Sequence, residues 1–326
     1  MDDDFRPTAG WEKLRFRAQL LRRLREFFHR RGFLEVETPL LSADTVVDRH
    51  LDPFRVAADP VSPTCDGGRR LWLQTSPELA MKRLLAAGGE AIYQVTRAFR
   101  GGEQGPLHNP EFTMVEWYAV GHGMAEGMQL LSDLCAALLE HGPAEELSYR
   151  TAFERYVGID PHAATAELLA STTRACGIEP PASLRAEDRD GWLDLLLVER
   201  VQPHLGQGRP VILYDYPASQ AALARVRPEV PPVAERFELY LGGIELANGY
   251  HELVDASVLR DRNRRENALR KLDGKEPLPE NSRLLAAMEA GLPAATGVAM
   301  GLDRVVMLAA GASRLDEVIA FPFDRA

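Results

Sequence analysis

The chain has 326 residues, 45% of them apolar, and carries 38 Lys and Arg against 48 Asp and Glu, a net charge of −10. That length supports one large core or two, and the acidic balance argues against a broad nucleic-acid-binding surface. No apolar run reaches the roughly 20 residues of a membrane-spanning helix, and the N-terminus MDDDFRPTAG lacks the basic and apolar regions of a signal peptide, so a cytoplasmic protein without a membrane partner is expected. Cys65, Cys135 and Cys176 are odd in number and widely separated, which fits buried thiols rather than a disulfide framework or a zinc site.

Taken in order, Leu20, Leu21, Leu24, Phe27 and Phe28 recur at helical spacing between Leu14 and Arg31, Gly32 stops the helix, and FLEVETP follows as a short strand. The many arginines of this helix read as a solvated face. Residues 46–70 read as loop and short strands ending in a turn at Asp66-Gly67-Gly68. LWLQT is a strand, after which Ser76 serves as an N-cap, Pro77 takes the first helical position and Glu78 lies in the first turn of ELAMKRLLAAG. Taken alone, Glu78 compensates the helix dipole.

Phe99 to Val120 reads as two strands joined by a ten-residue loop, Gly101 to Pro110, too rich in Gly and Pro to continue either strand. The period of two puts Phe112, Met114, Glu116 and Tyr118 on one face of the returning strand, with Arg100 at the end of the incoming one. An ordinary core would not choose that mixture. A planar guanidinium suits a phosphate, a flat aromatic suits an adenine ring, and a carboxylate beside a phenol suits an ammonium group.

From Gly121 to Glu235 the chain reads as packing helices: MQLLSDLCAALLEHG, Thr165 to Cys176, and WLDLLLVERVQPHLG. His141, His162 and His204 are scattered there without metal-ligand spacing. RPVILYDYP is a buried strand. In RFELYLGGIELANGYHEL, Gly242-Gly243 is a two-residue hairpin turn, which pairs Leu241 with Ile244 and Tyr240 with Glu245. Glu238 then becomes the diagonal neighbour of Glu245, roughly 7 Å away between backbones. Two such carboxylates repel, which a solvated strand tolerates and a divalent cation between them relieves, magnesium on ATP phosphates being the natural occupant. TGVAMGLDRVVMLAAGA reads as a strand meeting a helix near Gly301, with Arg304 in its first turn; alone, that junction is a weak nucleotide-binding signal.

These motifs resemble the lysine branch of the class II aminoacyl-tRNA synthetases. Phe99 to Val120 nearly reproduces its motif 2, FRxE…HNPEFT…E-x-Y, and departs at Gly102, where the family usually has Glu; here Glu103 comes next. The resemblance implies that Arg100 is catalytic and that Arg100, Gly101, Gly102, Asn109, Phe112, Glu245, Leu246, Gly301 and Arg304 bind ATP. Arg304 would cover the adenine face opposite Phe112. TSPEL-x-x-KRLL-x-x-G resembles the segment in which Glu78, beside Ser76 and Pro77, meets the substrate amino group. The E-x-x-N-G-x-x-E pattern assigns Glu245 to metal and nucleotide, Asn248 to the substrate carboxylate and Glu252 to its distal ammonium, with Glu238 as the second metal carboxylate. Glu116 and Tyr118 would complete the cation-seeking end of the pocket.

The resemblance further implies an α+β fold: the class II synthetase catalytic fold, an antiparallel β-sheet flanked by helices, as a single domain over 1–326. Motif 1 falls at about 14–41, motif 2 at about 91–120 and motif 3 at about 296–311. Motif 1, which builds the dimer interface in that family, implies a homodimer. It begins after about a dozen residues, so the anticodon-binding barrel of lysyl-tRNA synthetases is expected to be absent and tRNA is not expected as a partner. Over its whole length the chain resembles the elongation factor P lysine ligase family, which implies ATP-dependent activation of (R)-β-lysine, with Mg2+, and transfer to a lysine of elongation factor P. Ala80 and Ala299, where tRNA-charging lysine enzymes usually carry a larger residue and Gly respectively, fit a retuned pocket. A tRNA-charging lysine enzyme is the alternative. A silent paralogue would be expected to lose Arg100, Arg304, Glu238 or Glu245, and all four are present.

Overall fold

The computed structural model describes residues 5–57 and 70–326. Cys65 and the expected turn at Asp66-Gly67-Gly68 lie outside the described residues. In chain order the elements are α1 (Trp11–Arg30), β1 (Leu34–Glu35), β2 (Leu41–Ser42), β3 (Arg55–Val56), β4 (Leu71–Leu73), α2 (Glu78–Ala86), β5 (Ala91–Phe99), β6 (Glu111–Val120), α3 (Met124–Leu139), β7 (Glu145–Ser148), α4 (Tyr149–Tyr156), α5 (Ala166–Ala175), α6 (Arg189–Leu196), β8 (Val211–Pro217), β9 (Val226–Arg227), β10 (Val233–Leu241), β11 (Ile244–His251), α7 (Ala256–Leu272), α8 (Arg283–Gly291), β12 (Ala295–Gly301) and α9 (Leu302–Ala309). The described residues pack as two compact units, one within 5–121 with 254–326 and one of residues 122–253. The sequence by itself placed no boundary.

In the first unit, β5 and β6 pair antiparallel from Ala91↔Ala119 to Phe99↔Glu111, so the expected long-loop hairpin is present. β12 runs antiparallel along the other side of β6, and β1 adds a parallel edge to β5. A smaller sheet, β2-β4-β3, is antiparallel throughout. α1 buries Leu20, Leu24, Phe27 and Phe28 as the spacing predicts. Phe28 stacks on Tyr93 of β5 at 4.5 Å between ring centroids and lies 5.3 Å from Trp117 of β6. The solvated-face reading of the α1 arginines needs one correction. Arg17 turns inward, where its guanidinium pairs with Asp303 at 2.6 Å and donates to Thr113 Oγ1 at 2.7 Å. α7 and α8, rich in charged and small residues, have no counterpart in the sequence reading.

The second unit carries a sheet in the order β11-β10-β8-β7, antiparallel except for the β7–β8 pair, with β9 on β10. Tyr149, Phe153, Trp192, Leu193 and Leu196, from α4 and α6, pack with Leu213 and Tyr216 of β8 to form its core. The helix expected over WLDLLLVERVQPHLG ends early. After α6 the chain loosens into a π turn, Leu197–Val201, and a 3-10 turn, Gln202–His204, because Pro203 has no N–H to continue an α-helical ladder. Cys135 is buried and burial pushes its thiol up to about 12, which leaves it inert at neutral pH; Cys176, expected to be buried, is only half-buried.

Candidate active site

Each unit carries its own group of candidate residues. In the first, the alternation of β6 brings Glu116 and Tyr118 to one face, and Tyr118 Oη donates to Glu116 Oε1 at 2.6 Å. Ser76 Oγ donates to the other oxygen, Oε2, at 2.6 Å and accepts from Glu78 N at 3.1 Å. The expected helix start is therefore displaced by one residue: α2 begins at Glu78, Pro77 takes the cap position, and Ser76 caps from one residue further out. The Glu78 carboxylate is paired with Lys82 one turn along the helix. Lys82 is a residue the sequence reading passed over, although its i,i+4 spacing from Glu78 was legible. Its side chain is only 2% exposed.

Burial pushes the Glu116 carboxyl up to about 7, and the neighbouring Glu78 carboxylate adds to this against the Ser76 and Tyr118 donors and Lys82. Ala299 stands opposite Glu116 in the β12 register, which places the departure from the usual Gly beside this carboxylate. Pro77 is buried against the start of α2. The result is a buried polar cluster with one internal cation and two carboxylates, one of them poised between charge states. It can accept an ammonium group.

Arg100 follows β5 directly. Its guanidinium sits 5.1 Å from the Phe112 ring and 3.9 Å from Glu103, and its buried Nε has no hydrogen-bond partner among the described residues. A buried guanidinium N–H without an acceptor suits an anion. Gly101 N donates to Asp52 O at 2.7 Å, and a Cβ on Gly101 would stand 3.0 Å from that oxygen, so the chain passes too closely there for a larger residue without a shift. Gly102, where the family pattern usually has Glu, has φ of +80°, a conformation that Glu would adopt only with strain.

Gly301 ends β12 opposite Met114, and Arg304 lies in the first turn of α9 as expected. Its donors, however, go to the loop between β5 and β6: Nε to Leu107 O at 3.1 Å and Nη2 to His108 Nε2 at 2.7 Å. Burial, and then the Arg304 charge, lower the His108 pKa, which keeps the ring neutral and its Nε2 an acceptor. Asn109 Oδ1 accepts from Phe323 N at 2.9 Å, and its amide donates to Glu111 O at 2.5 Å. Asp303, also unforeseen, accepts from Thr113 N at 2.8 Å and, through Arg17, pins β6 between Phe112 and Met114.

In the second unit the turn at Gly242-Gly243 has φ of +59° and +74°, the two positive values a type I′ hairpin needs, and Leu241↔Ile244 and Tyr240↔Glu245 pair as predicted. The register then slips. A bulge at Leu246 pairs Leu239 with Ala247 and sets Glu238 opposite Asn248 instead of Ala247. The predicted diagonal relation of Glu238 to Glu245 is thus corrected, and Leu246 stands outside the ladder. Asn248 donates to Tyr250 Oη at 3.2 Å, and its buried Oδ1 has no partner among the described residues. Glu252 is buried just past β11. His251, left without a role by the sequence, ties β11 to β10 through Glu235 at 2.7 Å.

Glu238 is not an open ligand. Tyr216 Oη donates to its Oε2 at 2.6 Å, Tyr240 Oη donates to the same oxygen, and Arg236 Nη2 pairs with Oε1. Burial and the Glu238 charge push both phenols well above their usual range, so they remain donors. A cation bound to Glu238 would have to displace Arg236, so in this geometry the residue does not fit a divalent metal. Among the described residues no group of three or more His, Cys, Asp or Glu is arranged to hold a metal ion.

Residues 4–325 match the family "tRNA synthetases class II (D, K and N)", and the chain belongs to that family of ligases, whose members use ATP and a divalent metal. The most informative relatives carry the name elongation factor P--(R)-beta-lysine ligase. The chain is 47% identical to one from Vibrio vulnificus (strain YJ016) over 323 residues, 99% of each chain. It is 48% identical to one from Klebsiella pneumoniae (strain 342) over 322 residues, 99% of this chain and 98% of the relative, and 46% identical to one from Vibrio cholerae over 325 residues, 100% and 99%.

Proposed function

We propose that this chain is an ATP-dependent ligase that activates (R)-β-lysine and transfers the β-lysyl group to a lysine ε-amino group of elongation factor P. The observation that carries the reading is near-complete coverage at 46–48% identity by relatives bearing that name. The buried Ser76–Glu116–Tyr118 network, suited to an ammonium, supports it. In the first half-reaction the substrate carboxylate attacks the α-phosphorus of ATP, forming the mixed anhydride and releasing pyrophosphate. Arg100, with its unpartnered Nε, supplies charge to the α-phosphate, and Phe112 offers a face to the adenine. By the family pattern Glu78 meets the substrate amino group, Asn248 the carboxylate and Glu252 the distal ammonium, with Glu116 and Tyr118 at the cation-seeking end. In the second half-reaction a neutral lysine amine attacks the anhydride carbonyl, an amide forms and AMP leaves. Mg2+ is the divalent cation of this reading, and Glu238, engaged by Arg236, does not hold it. The protein acts as a homodimer and does not charge tRNA.

The test is mass spectrometry of elongation factor P after incubation with ATP and either lysine isomer. A mass increase of one lysyl residue, greater with (R)-β-lysine, is expected; an unchanged mass with both isomers would sink the assignment. Replacing Arg100 with Ala is expected to lower amino-acid-dependent pyrophosphate exchange by about 100-fold or more, as loss of a preorganised charge on the reacting group does.

A further inference from the structure

The loop between β5 and β6 has little of its own to fold around: GGEQGPLHNP contains one aliphatic side chain, Leu107, and three glycines. From within, it is supported by a bridge between Gly105 and His108. The last segment of the chain holds it residue by residue. Leu315 N donates to Pro106 O at 2.9 Å, Arg304 reaches Leu107 O and His108 Nε2, and Phe323 N donates to Asn109 Oδ1 at 2.9 Å. The tail is itself tied down at the other terminus, since Thr8 N donates to Ala320 O and Thr8 Oγ1 to Ile319 O, both at 2.9 Å. The Phe323 ring is 52% exposed, so the working group at that position is the backbone N–H rather than the side chain.

We infer that the C-terminal turn at Phe323 is a positioning element for the β5–β6 loop, its N–H fixing Asn109 and, through it, the loop's approach to a nucleotide. This rests on the reading that the loop binds ATP. Asn109, assigned to ATP, spends its carbonyl oxygen on the tail and its amide on Glu111 O, and so contributes to nucleotide binding through loop geometry.

Phe323→Pro removes the donor and leaves Asn109 in place. The site accepts proline: Phe323 opens a short 3-10 turn, and the preceding Pro322 is extended, with φ −67° and ψ 164°. Phe323→Ala keeps the N–H and removes the ring. Two measurements are compared with the parent protein: deuterium exchange of the loop amides without ligand, and the ATP KM and kcat of pyrophosphate exchange. Phe323→Pro is expected to speed exchange across residues 101–109 and to raise the ATP KM about 2- to 10-fold, the equivalent of one hydrogen bond, with kcat held. Phe323→Ala is expected to match the parent in both. Unchanged loop exchange in Phe323→Pro, a loosened loop with an unchanged ATP KM, or equal effects of the two variants would overturn the inference. If the parent itself catalyses no pyrophosphate exchange with any lysine isomer, the proposed function fails, while the deuterium arm still decides whether the tail holds the loop.

Discussion

Glu116 shows how far a single residue's chemistry depends on what is packed around it. In sequence it is an acidic residue on a strand; in the folded protein it is buried, accepts from Ser76 and Tyr118, and faces Glu78 with Lys82 behind it. Burial favours its neutral form, so its contribution to stability is present below the ordinary carboxylate range and lost as pH rises through about 7. A bound ammonium reverses that preference, because it favours the ionised form. The affinity for (R)-β-lysine is therefore expected to rise nearly tenfold between about pH 6 and pH 8, with proton release on binding, measured by calorimetry in buffers of different ionisation enthalpy. An affinity flat across that range would show that Glu116 does not meet the ammonium. Lys82 and Asp303 belong to the same scale. Neither stood out in the sequence, because a lysine and an aspartate in amphipathic helices are ordinary solvent-facing residues until a neighbouring strand covers them.

Among the elements, the β10–β11 hairpin was the best predicted and also the most instructive correction. Gly242-Gly243 dictated the turn because both residues need positive φ, and the first pairs followed from it. The bulge at Leu246 had no sequence marker. It changes which residue Glu238 opposes, and Arg236 with two tyrosines takes up the carboxylate that the straight register offered to a metal. The hairpin tip is held from outside by Gly206, whose carbonyl accepts from Gly242 N at 2.9 Å. A Cβ on Gly206 would come within 2.6 Å of Leu241 Cα and Tyr240 O, whereas Gly208, also at positive φ, has open space. Gly206→Ala is thus expected to cost about 1–3 kcal/mol more than Gly208→Ala in denaturant unfolding, the difference being overpacking rather than backbone strain. Equal costs would mean that the tip is free to move away.

For the whole molecule, no helix among the described residues is long and apolar enough to cross a membrane. The homodimer of the proposed function has a physical starting point in the first unit, where β1 is an edge strand whose Leu34 is 65% exposed and Trp11 at the start of α1 is 70% exposed. Sedimentation is expected to give twice the 36.1 kDa of the chain, and Leu34→Glu to shift it toward the monomer. A parent protein that sediments as a monomer would end that expectation.

By itself the sequence determined the local grammar: the amphipathic face of α1, both hairpin turns, the strand-to-helix junction at Gly301, and the motifs that assign the chain to its family. Each depends on residues close together along the chain, where side-chain period and turn chemistry are sufficient. Tertiary structure alone decided which polar groups meet. Arg17 with Asp303, Glu238 with Arg236 and Tyr216, Arg304 with Leu107 and His108, and Phe323 with Asn109 are the pairs in question. A buried polar group must find a partner wherever the fold brings one within reach, and no spacing rule states where that will be.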